Sequence, residues 1–403
     1  MAVRIVLAWL KEIIVSSTNN NRFRALDGVR GIAALVVVLY HIRFPNHFTH
    51  VAFVENGYLA VDLFFILSGF VISASYGRRI EDLSSMRRFM CLRWFRVYPL
   101  HFAMLCMFVG LDLVKLIALR SGMRPGEMMP FTGGNSYEAV VGHVFLLQGL
   151  PVWDKPTWNF PSWSISCEFV AYLVFSLIVL TGVIRSKAFF AVGTIVAVGG
   201  YCALALARNT LDVPQWGIVR CLGGFFFGML IFEFAAGALG KRLSAQPTAL
   251  ISGCETAVVI AMVLTMTFVT GAAMLLILPI FIIAVLVLQL DRGPIARILM
   301  SPGIQFLGRI SYSIYMVHAF ILVVLTIGLK RILDIPVIND PVTHAPVFQI
   351  NIWFGDALVL GTVLAVLVIS AVTNAFIEEP ARHYGRRLVT SSKGQTWPQH
   401  PFR

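Results

Sequence analysis

Charge is what this chain has least of. Only 13% of its 403 residues are Asp, Glu, Lys or Arg, while 58% are apolar, and mean hydropathy is +0.81. That composition excludes a soluble domain with a large core and describes a chain solvated by lipid. Cysteine is sparse as well: Cys91, Cys106, Cys167, Cys202, Cys221 and Cys254 sit singly, mostly inside apolar runs. None forms a Cys-x-x-Cys pair or has histidine at ligand spacing, so neither a disulfide framework nor a metal site is expected. They read as small core residues. No stretch outside the apolar runs is long enough for a separate folded domain. The stretch Met1 to Thr18 does not read as a secretory signal, because Lys11 and Glu12 break its apolar run and no small-residue cleavage site follows. Residues 1–21 are read as a leader. It fits a short helix lying on the membrane surface as well as it fits a segment of no consequence.

What is there is a series of apolar runs of spanning length. They cover approximately residues 26–44, 58–76, 90–112, 163–182, 187–207, 215–237, 251–270, 272–290, 304–329 and 352–378. The expected fold is therefore all-α, a polytopic membrane protein of about ten transmembrane helices. The shorter piece from His143 to Leu150 is assigned to a re-entrant or interfacial element. With both termini on the cytoplasmic side, the inner segments hold 22 lysines and arginines and the outer segments 8, leaving Arg30 and Arg220 within spans. This bias favours both ends in the cytoplasm. It also accounts for the net charge of +12 without invoking nucleic acid. The membrane domain is read as 22–387, followed by a short cytoplasmic tail, 388–403.

The scarce charges gather in the stretch from Arg24 to Tyr76. Arg30 and His41 lie eleven residues apart, which on a helix returns to within about 20° of one direction, with about 16 Å between them along the axis. Asp27 falls near the same stripe. An ionisable group inside a span costs a few kcal/mol and normally faces a protein interior or wet cavity. The three together suggest a polar passage along the first helix. The alternative is that Asp27 and Arg30 lie at headgroup level and His41 at the opposite interface. Asp62 follows at the outer end of the second span and needs a partner; His41, at the same end of the neighbouring helix, is the natural proposal. Ser68 and Gly69 permit close helix packing. Arg93 and Arg96 are one turn apart and share a helix face. They could grip a phosphate in bidentate fashion, although cytoplasmic arginines are also what topology alone requires. Arg96, Tyr98 and Pro99 run directly into the third span.

Taken together, these pieces resemble the acyltransferase-3 family of membrane proteins, which includes bacterial O-antigen, exopolysaccharide and Nod-factor O-acetyltransferases. The matching pieces are Arg24-Ala-Leu-Asp-Gly-Val-Arg30-Gly with His41, Asp62-Leu-Phe-Phe-Ile-Leu-Ser-Gly-Phe, and Arg93-x-x-Arg96 with Tyr98-Pro99. They continue with Pro161-Ser-Trp163-Ser-Ile-Ser-Cys-Glu168-Phe, Gly308-Arg-Ile-Ser311-Tyr-Ser-Ile-Tyr315-Met-Val-His318, and Ile377-Glu378-Glu-Pro380. Six in order, from about residue 22 to 387, make a specific signature. Cys167 departs from the family pattern but leaves Glu168 in register. Some relatives append a soluble esterase-like domain, and none is expected here. The resemblance implies acyl transfer from cytoplasmic acyl-CoA, acetyl-CoA above all, to a carbohydrate hydroxyl. It implies that Arg30 and His41 are the paired functional residues of the first span and that Arg93 and Arg96 handle the donor. Histidine is the usual base near neutral pH, and a sugar hydroxyl is a poor nucleophile until a base takes its proton.

The expected catalytic set is thus His41, Arg30, Asp62 and Glu168, with Arg93, Arg96, Tyr98 and Asp27 at the donor. Ser68, Trp163, Ser164, Ser311, Tyr315 and His318 are read as lining the cavity. Glu168 lies in a span on the same face as Ser164; it could orient an arginine or accept a donor hydrogen bond, or be an outer-interface carboxylate. Ser311, Tyr315 and His318 share one helix face, as a polar wall or an ordinary interhelical hydrogen-bond set. Arg220, Glu233, Glu255 and Asp356 have no assigned role, and Glu378-Glu-Pro380 reads as the stop of the last span. The reading is a membrane O-acyltransferase of the bacterial inner membrane. Its partners are the bilayer, acyl-CoA and a carbohydrate, with no bound cofactor, metal or nucleic acid. Its rivals are a proton-coupled transporter of an anionic solute and a non-catalytic scaffold binding a polysaccharide. No inverted repeat or matching pair of broken helices supports the transporter.

Overall fold

A computed structural model describes residues 23–122, 129–339 and 346–390. The leader, 1–21, lies outside the described residues, as does the tail beyond residue 390. Each of the ten predicted runs falls on a helix. In chain order these are α1 (Arg24–Tyr40), α2 (Ala60–Tyr76), α3 (Leu83–Arg120), α4 (Trp163–Leu180) and α5 (Lys187–Arg208). The others are α6 (Gly217–Ala236), α7 (Thr248–Phe268), α8 (Ile277–Leu288), α9 (Pro302–Arg331) and α10 (Ile352–Thr373). Among the described residues nine helices are long and apolar enough to cross a membrane. The remaining one, α1, has 17 residues, about 25 Å of helix, and its apolar path continues through buried Ile42 and Phe44. The chain is a polytopic all-α membrane protein. Among the described residues the one departure is a small antiparallel hairpin, Val337–Asn339 with Pro346–Phe348.

Side-chain bonds between the connecting segments fix which helix ends lie together. At one end, the Arg24 and Ala25 amides donate to the Asp291 carboxylate. Glu255 caps the short helix Pro294–Leu299 there, accepting from the amides of Gly293, Ile295 and Ala296. At the other end, Tyr40 donates to Asp212 at 2.7 Å, and His47 meets Asp356 at 2.7 Å. Glu255 and Asp356, without a role in sequence, are thereby read as fastenings of the scaffold. Glu233 is exposed, and nothing in the structure gives it a role. Of the cysteines, Cys167 and Cys221 are buried as expected, while Cys106 is exposed on α3.

Two close approaches position the interior. In the α2–α6 pair, a Cβ at Gly228 would run into the Ile66 carbonyl and the Phe70 amide, and one at Gly69 into the Phe225 carbonyl. Only glycine lets the two backbones meet there. The α1–α9 pair is built likewise: a Cβ at Gly31 would strike the Gly308 backbone, and one at Gly308 the Asp27 carbonyl. These two helices run in the same direction. Ten residues beyond the Gly31–Gly308 approach, each presents a histidine, His41 and His318.

The piece His143–Leu150, expected to be re-entrant or interfacial, begins at the end of a short helix, Tyr137–Val144, and continues as irregular backbone that runs on to Asn159. Non-helical backbone is tolerated at membrane depth only where protein satisfies it. Protein groups meet this backbone: Ser166 donates to the Leu146 carbonyl at 2.5 Å, Gln148 to the Ser162 carbonyl, and Asn159 to the Met316 carbonyl.

Candidate active site

Most of the expected site residues lie in three clusters along the bundle, taken from the Arg24 end. In the first, Arg96 of α3 forms an ion pair with the buried Glu378, which also accepts from Ser313 at 3.0 Å. Arg382 lies 3.4 Å from the same carboxylate and 3.0 Å from Glu379. Residues Asn374–Glu378 form a π-helical turn after α10, and that local rewinding brings Glu378 inward, a familiar use of π-turns. Sequence had read Glu378 as part of a helix stop; the structure makes it the counter-charge of Arg96. Asp27 is buried within the field of Arg30, Arg96 and Arg382, so it faces protein among these arginines.

The second cluster lies deeper. Glu168 of α4 accepts from Ser68 of α2 at 2.5 Å and from Tyr172 at 2.6 Å. Arg30 is within the electrostatic reach of Arg96, Asp27, Glu168 and Tyr172. Arg93 donates to the Tyr76 hydroxyl at 3.3 Å and lies over the rings of Tyr76 and Tyr172. Ser68 comes from α2 and Tyr172 from α4 itself, so Glu168 is held between two helices. Arg93 and Arg96, expected to act as one clamp, turn to different partners. Tyr98 joins neither. It stacks on Trp94 with 3.8 Å between centroids and donates to the Val144 carbonyl, pinning the re-entrant helix.

The third cluster is at the far end. His41 Nδ1 lies 2.9 Å from the Val37 carbonyl and 3.3 Å from His318 Nε2. His318 Nδ1 lies 3.2 Å from the Ile314 carbonyl. Tyr315 exchanges a 2.8 Å hydrogen bond with Ser164 and reaches the Pro161 carbonyl at 2.9 Å. Phe160 and Tyr40 pack on the His41 ring. Ser311 stays with its own helix, donating to the Gly308 carbonyl. Of the expected set on α9, Tyr315 and His318 therefore meet other helices and Ser311 does not.

The expected Asp62–His41 contact is not formed. Asp62 pairs instead with Arg220 of α6, Oδ1 to Nε at 3.1 Å and Oδ2 to a terminal nitrogen at 2.5 Å, and accepts from Tyr201 at 2.8 Å. Both charges are essentially sealed, Arg220 at 1% exposure and Asp62 at 0%. Trp163, expected on the cavity wall, covers the Arg220 guanidinium at 5.6 Å and is itself buried. An unpaired Asp62 at this depth would be prohibitive, and Arg220 is the only lysine or arginine on α6. That solitary arginine in a glycine-rich span was the available signal.

A second histidine pair was not anticipated. His101 Nε2 lies 2.9 Å from the His143 carbonyl, His143 Nε2 lies 2.9 Å from Thr157 Oγ1, and the rings stack. It ties α3 to the re-entrant segment. Among the described residues no group of three or more His, Cys, Asp and Glu side chains is arranged to hold a metal ion.

An all-helical membrane bundle with buried arginines, carboxylates and a histidine pair defines a multi-pass protein built around a polar interior. The acyltransferase-3 family, described as an acyltransferase domain, matches residues 23–372. The chain belongs to that family and is a membrane acyltransferase. It is 23% identical over 378 residues to a protein described as a membrane-bound transacylase, BcsY, of Komagataeibacter xylinus, covering 93% of this chain and 87% of that one. Protein 2 in the picA locus of Rhizobium radiobacter is 40% identical over 93 residues, which are 22% of this chain and 44% of that protein. The peptidoglycan O-acetyltransferase OatA of Listeria monocytogenes is 29% identical over 87 residues, 21% of this chain and 13% of that protein. No solved structure matches the chain.

Proposed function

We propose that the protein transfers an acyl group, acetyl above all, from a cytoplasmic acyl-CoA to a hydroxyl of an envelope or secreted carbohydrate, in the cytoplasmic membrane of a bacterium. The observation that carries this reading is the order of the clusters. Arginines lie at the end shared by both described chain ends, and a histidine pair lies at the opposite end. A CoA phosphate needs cations on the cytoplasmic side, and the excess of basic residues favours that side for the Arg24 end. The about 16 Å from Arg30 to His41 is the length of a pantetheine-like arm laid along a helix. A donor anchored near Arg96 and Arg93 would carry its thioester toward His41 while an extracytoplasmic sugar arrives from the other side.

In this reading His41 takes the proton of the acceptor hydroxyl as its oxygen attacks the thioester carbonyl. The tetrahedral centre collapses, the C–S bond breaks, and the CoA thiolate recovers the proton from His41. Arg30 and Glu168 orient the donor, and Asp27 balances the arginine charge. Asp62, first assigned to catalysis, serves as the counter-ion of Arg220 and holds α2 to α6. Family membership and the name of the Listeria relative support a carbohydrate O-acyltransferase over a carrier. The test is mass spectrometry of surface glycans from cells with and without the gene, together with purified protein and radiolabelled acetyl-CoA. A mass difference of one acetyl group that requires the protein supports the reading; unchanged glycans in a strain shown to express it remove it.

A further inference from the structure

Both histidines of the far cluster direct Nδ1 at a backbone carbonyl of their own helix, Val37 for His41 and Ile314 for His318. A carbonyl oxygen only accepts, so in the neutral rings both Nδ1 atoms carry the hydrogen. His318 Nε2 is then a bare acceptor, and it lies 3.3 Å from the His41 Nδ1–H. Two acceptors therefore share that one hydrogen, and the His41 lone pair is left on Nε2. We propose that His318 is the positioning residue of His41: it fixes the tautomer that leaves Nε2 free for the acceptor hydroxyl, and it holds the imidazolium that forms when the proton arrives.

The choice of partner follows from the surroundings. A carboxylate is the usual orienter of a catalytic histidine, but at membrane depth an added charge is costly. A neutral imidazole offers the same directional acceptor without one. The pair is also rigidly mounted. His318 is fully buried, its ring lies against Tyr315 and Phe160, and the glycine-mediated approach of α1 to α9 sets the spacing of the two rings. Among the described residues the acceptors that meet His41 Nδ1 are the Val37 carbonyl and His318 Nε2, while Arg43, the charge that acts on His41, lies over the Tyr40 ring at 4.8 Å.

This inference rests on His41 as the base, and the experiment separates the two. Acetyl transfer is measured for His41→Ala, His318→Leu and His318→Gln at matched levels of folded protein. His318→Met serves as a second replacement lacking a comparable acceptor should the leucine variant fail to accumulate. The expected result is a fall of about 10²-fold in kcat for His318→Leu or Met, with KM for acetyl-CoA within about twofold. His318→Gln, whose amide oxygen restores an acceptor, should recover to within about tenfold of the parent. A purely structural role would not be rescued by glutamine or confined to kcat. Transfer by His318→Leu or Met near the parent rate, or glutamine as poor as leucine, overturns the proposal. An active His41→Ala removes the base reading and this inference with it. An inactive His41→Ala beside an active His318→Leu or Met removes only the inference.

Discussion

Asp62 and Arg220, 158 residues apart in the chain, meet at 2.5 Å in a part of the bundle that neither water nor lipid reaches. Burying two charges costs much of what their attraction returns, so the pair is costly to break and not simply a source of stability. Removing either partner leaves the other charged or forces it to neutralise. Asp62→Ala and Arg220→Ala should each lower stability by about 3–5 kcal/mol, while Asp62→Leu combined with Arg220→Met should lose less than either alone. Thermal unfolding of the detergent-solubilised variants, followed by size-exclusion chromatography, reads this directly. Single variants that melt with the parent would return Asp62 to the list of reacting groups.

The same helices make a second, independent prediction. Gly228 packs on the backbone of α2 at Ile66 and Phe70, where a branched side chain cannot be accommodated without separating α2 from α6. Gly228→Leu should destabilise by at least about 1–3 kcal/mol and, by displacing Arg220, abolish transfer as well. Gly199, whose Cβ would meet nothing, is the control, and Gly199→Leu should be silent in both measurements.

The spans were legible because hydropathy is a local property: a run of apolar residues commits to a helix whatever it packs against. The Arg30–His41 stripe was legible for the same reason, since both groups share one helix. Partnerships between helices were not. Asp62 was matched to His41 because adjacent spans usually pack together, yet its partner came from α6, brought near by glycines whose role shows only once the two helices are docked. Glu378 was hidden differently. Read as an α-helical residue before Pro380 it marks a terminus, and only the π-helical turn brings it onto Arg96. His318 was seen as part of a polar face, but its pairing with His41 depends on the parallel approach of α1 and α9, which no spacing within either helix encodes.

Topology follows from the 22-to-8 division of basic residues. Reporters fused after residue 50 and within 120–155 should read extracytoplasmic, and those after residue 80 or 390 cytoplasmic. The Tyr40–Asp212 and His47–Asp356 contacts already group residues 40–47 with 212 and 356 at one end of the bundle. A cytoplasmic signal after residue 50 would invert the bundle, and with it the assignment of donor and acceptor sides.

His41→Ala should insert and fold, because the ring takes part in no ion pair whose partner would be left bare, while losing about 10²-fold or more of its transfer rate. Glycan acetylation at matched protein level measures it. Normal acetylation would end the role of His41 as base.

Arg96 is where a structural and a functional role compete most closely. Its ion pair with Glu378 sits inside the bundle beside Arg382, so loss of activity on replacing it could mean only that Glu378 has lost its counter-charge. The two roles separate in a double replacement. If Arg96 serves solely to neutralise Glu378, then Arg96→Met with Glu378→Gln removes both charges together and should restore transfer. If Arg96 also binds donor phosphate, the double variant should accumulate normally yet bind acetyl-CoA at least about tenfold more weakly, the loss expected for one charge-assisted contact. Arg96→Lys keeps the charge but loses the planar pair of donors, and should show the same weakening in smaller degree. Arg87→Lys, at an exposed position on the preceding turns, should bind as the parent does. Because Arg382 and Arg30 remain near, some affinity should persist in every variant. Equal donor affinity in the parent and the double variant would make Arg96 a structural ion and move the donor site to Arg30 and Arg93.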